Sequence, residues 1–114
     1  MPFVTPENQE FANTFGIEAT PVGESQYRLD FSEVVDGELG FSYDVIGRSV
    51  AVSWCPVPGR GVFSTFREGA TVLRIADSAG SSKLVVEFST EDTTGSLEIQ
   101  VFPYVSVSER TLIC

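Results

Sequence analysis

From residue 25 onward, apolar side chains recur at every second position, the period of strands that cover one face. Residues 25–33 place Tyr27, Leu29 and Phe31 on one side, and residues 38–45 place Leu39, Phe41, Tyr43 and Val45 on one side. A two-residue hairpin at Asp36-Gly37 would put these two sets on opposite faces. A three-residue loop, Val35-Asp36-Gly37, instead pairs Phe31 with Phe41, Leu29 with Tyr43 and Tyr27 with Val45. Gly37 then takes the left-handed position of a bulge, and Arg28 falls opposite Asp44 as a favourable cross-strand pair. A third strand over 49–55 carries Val50, Val52 and Trp54. A turn around Ile46-Gly47 pairs these with Tyr43, Phe41 and Leu39. Residues 25–55 therefore read as a three-stranded meander.

Pro56-Val57-Pro58-Gly59-Arg60-Gly61 interrupts the pattern, because two prolines and two glycines do not make a central strand. A short strand over 62–67 follows, and Glu68-Gly69 turns it. A second meander is predicted over 71–107. Leu73 and Ile75 match Val86 and Leu84 across Ala79-Gly80. Phe88 and Val86 match Ile99 and Val101 across a loop of Asp92-Thr93-Thr94-Gly95. Pro103 confines the last strand to an edge, an end or a bulge, with Val105 and Val107 continuing past it. In this register the reverse face holds one row of Arg74, Val85 and Phe102 and another of Val72, Glu87 and Gln100. That face is greasier than water favours. Either an N-terminal helix covers Val72, Val85 and Phe102, or they form an apolar interface for a partner or a second copy.

The helix is predicted over about 6–15. Thr5 stands at its N-cap and Pro6 at its first position, with Glu7 and Glu10 near the positive end of the dipole. Phe11 and Phe15 share a face, and Gly16 stops it. The expected fold is mainly β and a single domain over 1–114. Two antiparallel three-stranded meanders, joined through 56–61, form a β-sandwich or a strongly bent sheet.

Charge changes the picture more than composition does. The 114 residues carry 16 acids against 7 bases, a net −9. Such a chain suits a basic protein partner, or plain solubility, better than nucleic acid or an anionic membrane. The middle segment is of opposite sign: residues 48–86 hold five bases and two acids. No apolar run reaches the length of a membrane span, and the N-terminus lacks the features of a signal peptide. Cys55 and Cys114 make no disulfide framework. They are expected as free thiols of a reducing cytoplasm, a Cys55–Cys114 bridge being the alternative.

Candidate chemistry is sparse. The sequence contains no histidine, which removes Ser-His and Cys-His nucleophile pairs and histidine metal sites. Cys55, after Trp54 at a strand end, reads as a small buried hydrophobe. There is no calcium-loop spacing, and Gly59-Arg60-Gly61 lacks the pattern of a phosphate loop. No catalytic residue, metal or cofactor is assigned. Arg60 and Arg67 are the candidates for anion binding. The leading reading is a non-catalytic, acidic protein-binding module for a basic partner. Its candidate contacts are Glu33, Asp36 and Glu38 at one turn and Glu91 and Asp92 at another. In size, charge and lack of catalytic machinery it fits small immunity or inhibitor proteins of bacterial toxins, an analogy of bulk properties. The alternatives are a homo-oligomeric structural module and a small-molecule binder or enzyme using Arg60 and Arg67.

Overall fold

The computed structural model describes residues 3–57, 63–78 and 80–113. One helix, α1 (Asn8–Phe15), precedes nine strands: β1 (Thr20–Pro21), β2 (Gln26–Asp30), β3 (Glu38–Asp44), β4 (Ser49–Cys55), β5 (Phe63–Glu68), β6 (Ala70–Ser78), β7 (Ser81–Ser89), β8 (Thr93–Phe102) and β9 (Ser106–Ile113). They form two antiparallel sheets, β1-β2-β3-β4-β5 and β6-β7-β8-β9. Each expected meander is thus extended: β1 and β5 join the first, and β9 returns alongside the last strand of the second. Between the sheets lies one core. Phe11, Phe31, Phe41, Leu29, Leu39, Leu73, Leu84, Leu97 and Ile99 are among its fully enclosed side chains. Burying each such side chain contributes about 1.5–3 kcal/mol.

The helix starts later than the sequence suggests. Glu7, not Thr5, is the N-cap, and the Glu7 N–H donates to Glu10 Oε2 at 2.7 Å, so the acid three residues on secures the start as in a capping box. Gly16 closes the helix at φ 75°. The helix does not lie over the reverse face of the second sheet. Phe11 packs 6.2 Å from Tyr43, and Phe15 meets Phe31 edge-on at 5.3 Å, so both rings enter the core between the sheets. Just before it, Val4 pairs with Val72 at the edge of β6 through hydrogen bonds to Thr71 and Leu73.

The registers of β3 with β4 and of β6 with β7 are the expected ones: Phe41 faces Val52, and Leu73 faces Val86. Two others differ. In β2–β3, Leu29 faces Phe41 and Tyr27 faces Tyr43, which leaves Arg28 opposite Ser42 rather than Asp44. The loop is longer because Ser32–Val34 coil into a turn, with the Val34 and Val35 N–H groups both donating to the Phe31 carbonyl. In β7–β8, Val86 faces Leu97 and Phe88 faces Gly95. The turn there is Glu91-Asp92 alone, closed by the Thr90 N–H to Thr93 O at 2.9 Å and by the two threonine hydroxyls at 2.7 Å. Both shifts are even numbers of residues, so every inward side chain stays inward.

Strand directions give the sandwich two distinct ends. The loop end collects residues 32–37, the chain leaving β4, the β6–β7 turn and residues 103–105. The turn end collects the β3–β4 turn at 45–48, Gly69 between β5 and β6, and the β7–β8 turn at 90–92.

Candidate functional site

At the loop end, two prolines make the strands let go. Pro56 follows β4 and Pro103 follows β8; neither can donate to a ladder. The chain peels away at both points and leaves the side chains beside them short of cover. Trp54 stays half-buried, while Phe102 is 60% and Tyr104 is 68% exposed. Val34 projects from the 32–37 loop, Val57 stands just beyond β4 and Phe63 opens β5 opposite Trp54, all three exposed. Trp54, Phe102, Tyr104, Val34 and Val35 surround a cleft of ≈590 Å³, walled by Glu33–Asp36 on one side, by Trp54 and Pro56 at the base, and by 101–105 on the other. A smaller hollow of ≈230 Å³ adjoins it, where Thr14 and Phe15 meet Val34 and Phe102.

The walls are fastened locally. Asp30 Oδ1 accepts from the Ser32 N–H at 3.0 Å, and the Ser32 bonds hold the Asp30 carboxyl below its ordinary value. Gly37 has φ 97°, and a Cβ there would lie 2.6 Å from the Cys55 carbonyl oxygen. Only glycine lets this loop rest on the β4 backbone. Across the cleft, Gln100 Nε2 donates to the Tyr104 carbonyl at 2.8 Å. The charged side chains in these walls, among the described residues, are Glu33 and Asp36, both acidic and exposed, and the exposed Glu38 opens β3 just beyond them.

A second concavity of ≈330 Å³ runs across the outer face of the first sheet. Its floor is small and polar: Gly40, Ser42, Ala51, Ser53 and Ser64. Arg28 bounds one side, its guanidinium lying over Gly40, and the exposed Phe66 bounds the other.

The candidates from the sequence are scattered over this frame. Glu33, Asp36 and Glu38 share the loop end, but Glu91 and Asp92 occupy the turn end. The ten-residue β8 separates them, roughly 33 Å of strand. Val72, Val85 and Phe102 do not form one patch: Val85 is buried between Arg74 and Glu98, Val72 sits under the Val4 pairing, and Phe102 lies at a strand end opposite Ser82. Arg67 turns inward. Its guanidinium carbon lies 4.1 Å from the centroid of the Phe88 ring, over Gly95, and one guanidinium nitrogen, NH1, is buried without a hydrogen-bond partner among the described residues. Arg60 and Cys114 lie outside the described residues. The Cys55 side chain is buried, and its Sγ donates to the Val57 carbonyl at 3.1 Å. Among the described residues, no three His, Cys, Asp or Glu side chains come together as metal ligands, and no helix is long and apolar enough to cross a membrane.

This fold has a solved counterpart. A chain of the contact-dependent growth inhibition toxin–immunity protein complex from Klebsiella pneumoniae 342 superposes on it with a TM-score of 0.81, over 96% of each chain and at 13% identity. No protein-family model matches the sequence, and no curated protein matches it either. At 13% identity, the likeness to the toxin–immunity complex is one of fold, so the site must be argued from this chain's own residues.

The two acids in the cleft walls, Glu33 and Asp36, were visible in the sequence as turn acids. Trp54, Val34, Tyr104, Val57 and Phe63 were not singled out. The available signal was the placement of large apolar side chains beside Pro56 and Pro103, where a strand ends and cover runs out.

Proposed function

We propose that this chain is an immunity-type protein, which binds a protein toxin through an acidic, partly apolar surface and holds it inactive. The observation that carries the reading is the whole-length agreement of fold with a chain from a toxin–immunity complex. The inhibitor's role, rather than the toxin's, suits this sequence. It has no histidine. Among its titratable groups with a clear displacement, Asp30 and Asp44 are pulled down by hydrogen bonds, and Tyr43 is pushed up to about 12 by burial. None of the three is drawn toward neutral pH, where a general acid or base works best. The net charge of −9 favours a basic partner, whose approach it would accelerate.

The test is capture of the tagged chain's partner from the source organism at low salt. The captured protein is then expressed in a sensitive host with and without this chain. One stoichiometric partner is expected, toxic alone and harmless in company, with an association rate that falls as salt rises. A partner whose toxicity this chain leaves untouched contradicts the reading. A second reading has one observation in its favour: β9, eight residues long, pairs on one side only in the sheet order, an edge that could join two copies. Light scattering showing a stable dimer and no captured partner would favour it.

A further inference from the structure

We propose that the loop-end cleft is the surface on which the partner docks, and that its occupant is a basic segment presenting an apolar or aromatic side chain between lysines or arginines. This rests on the partner-binding reading and names the place and the chemistry of that contact.

Three features favour this surface over the others. Of the nine exposed large hydrophobics among the described residues, five (Val34, Val57, Phe63, Phe102 and Tyr104) stand at this end. Aromatic side chains, partly enclosed and ringed by polar groups, supply most of the energy in protein interfaces. Trp54, Phe102 and Tyr104 meet that description around one cleft. Among the described residues, the charge in its lining has one sign: Glu33 and Asp36 stand beside the apolar side chains, and an apolar anchor flanked by bases would satisfy both at once. Finally, the walls are already in place. The Asp30–Ser32 and Gln100–Tyr104 hydrogen bonds and the seat of Gly37 on β4 fix both sides, so little ordering is required on binding.

The outer-face trough lacks this combination, since its floor is small and polar and its one charge there, Arg28, would repel a basic segment. Glu91 and Asp92 have acid without an apolar floor.

The test is an amide and indole NMR titration of the full-length, isotope-labelled chain with the peptide Lys-Trp-Lys-Leu-Lys-amide at low salt. Perturbations confined to residues 33–38, the Trp54 indole and 101–105 are expected, and they should shrink as salt is added. The double variant Glu33→Lys/Asp36→Lys should weaken peptide binding about tenfold or more, and Phe102→Ser and Tyr104→Ser should each weaken it too. Glu91→Lys/Asp92→Lys should leave it within about twofold. All these positions are exposed, so the variants should keep the fold, which their amide spectra report directly. Perturbations centred on Arg28 and Phe66, or on residues 90–93, overturn the proposal, as does no perturbation at all. So does concentration-dependent broadening of the cleft residues without peptide, which would make a second copy the occupant. A chain that takes the peptide in the cleft yet relieves no captured toxin would defeat the immunity reading and leave the cleft standing. A chain that neutralises its toxin equally well with Glu33→Lys/Asp36→Lys would do the reverse.

Discussion

The two ends of the sandwich solve the same problem, reversing the chain, with opposite results. At the turn end the reversals are short and satisfy themselves. Asp44 Oδ1 alone accepts from Ser25 Oγ, Ile46 N and Gly47 N at 2.8–3.0 Å, and Thr90 closes on Thr93. Gly69 links β5 to β6 by itself, at φ 86°. Around those turns the exposed large apolar side chains are Val4, Val22 and Ile46, with Phe66 two positions short of the end of β5 on the outer face. At the loop end the reversals are longer, prolines stop two strands, and aromatic surface is left uncovered beside acids. A fold needs only the first kind of end. An uncovered aromatic cleft costs solubility and marks a candidate contact surface, so the difference between the ends is the one on which the docking proposal rests.

The most disruptive variants should show that the ends are equal as structure. Phe31, under the loop end, and Phe11, beside Tyr43 toward the turn end, are both fully buried. Phe31→Ala and Phe11→Ala should each lower unfolding free energy in urea by about 3–5 kcal/mol. A much smaller cost at one of them would mean that its end is not part of the common core. Next, the ends should separate on binding. Glu33→Lys/Asp36→Lys should reduce affinity for the captured partner about tenfold or more while moving stability by no more than about 0.5 kcal/mol. Glu91→Lys/Asp92→Lys should do neither, and equal losses of affinity from both pairs would abolish the distinction.

Two smaller effects belong to the turn end and depend on pH. Burial first, and the neighbouring Tyr27 second, push Tyr43 up to about 12 from an ordinary 10.0. A raised phenol favours the fold fully below the unfolded value, and that contribution drains away as pH climbs from 10 through about 12. Tyr43→Phe should flatten the fall in melting temperature across that range. Asp44 is displaced the other way, lowered by its bonds from Gly47, Ser25 and Ile46. Its support is present above the ordinary carboxylate value of 3.8 and is lost as pH falls through the lower folded value. Asp44→Asn should therefore melt a little earlier at neutral pH and approach the parent in acid. Neither variant should alter partner affinity.

What the sequence revealed follows the same division. Parity of apolar positions is a property of each strand: it put Leu29, Phe41 and Val52 on one side of the first meander and Val86 and Ile99 on one side of the second, and the structure turns both sides inward. Register depends on how many residues a turn consumes. It was readable at 45–48, where the apolar runs leave little choice, and at Ala79-Gly80. It was misread at 32–37, because a helical turn of Ser32–Val34 has no apolar signature, and at 90–93, because Thr93-Thr94-Gly95 resembles a loop. Gly95 is instead a strand residue, where a Cβ would approach the Arg67 guanidinium at 3.0 Å. The reading of Val72, Val85 and Phe102 as one patch failed through that four-residue slip. The cleft itself was out of reach, since it unites residues 33–36, Trp54, Pro56 and residues 101–105, which no local pattern connects.

The most direct measurement is hydrogen–deuterium exchange of this chain alone and saturated with its captured partner. Slowed exchange is predicted at residues 33–38, 54–57 and 101–105, with residues 45–48 and 90–93 unchanged. Protection centred on those two turns, with the cleft exchanging as freely as before, would contradict the account.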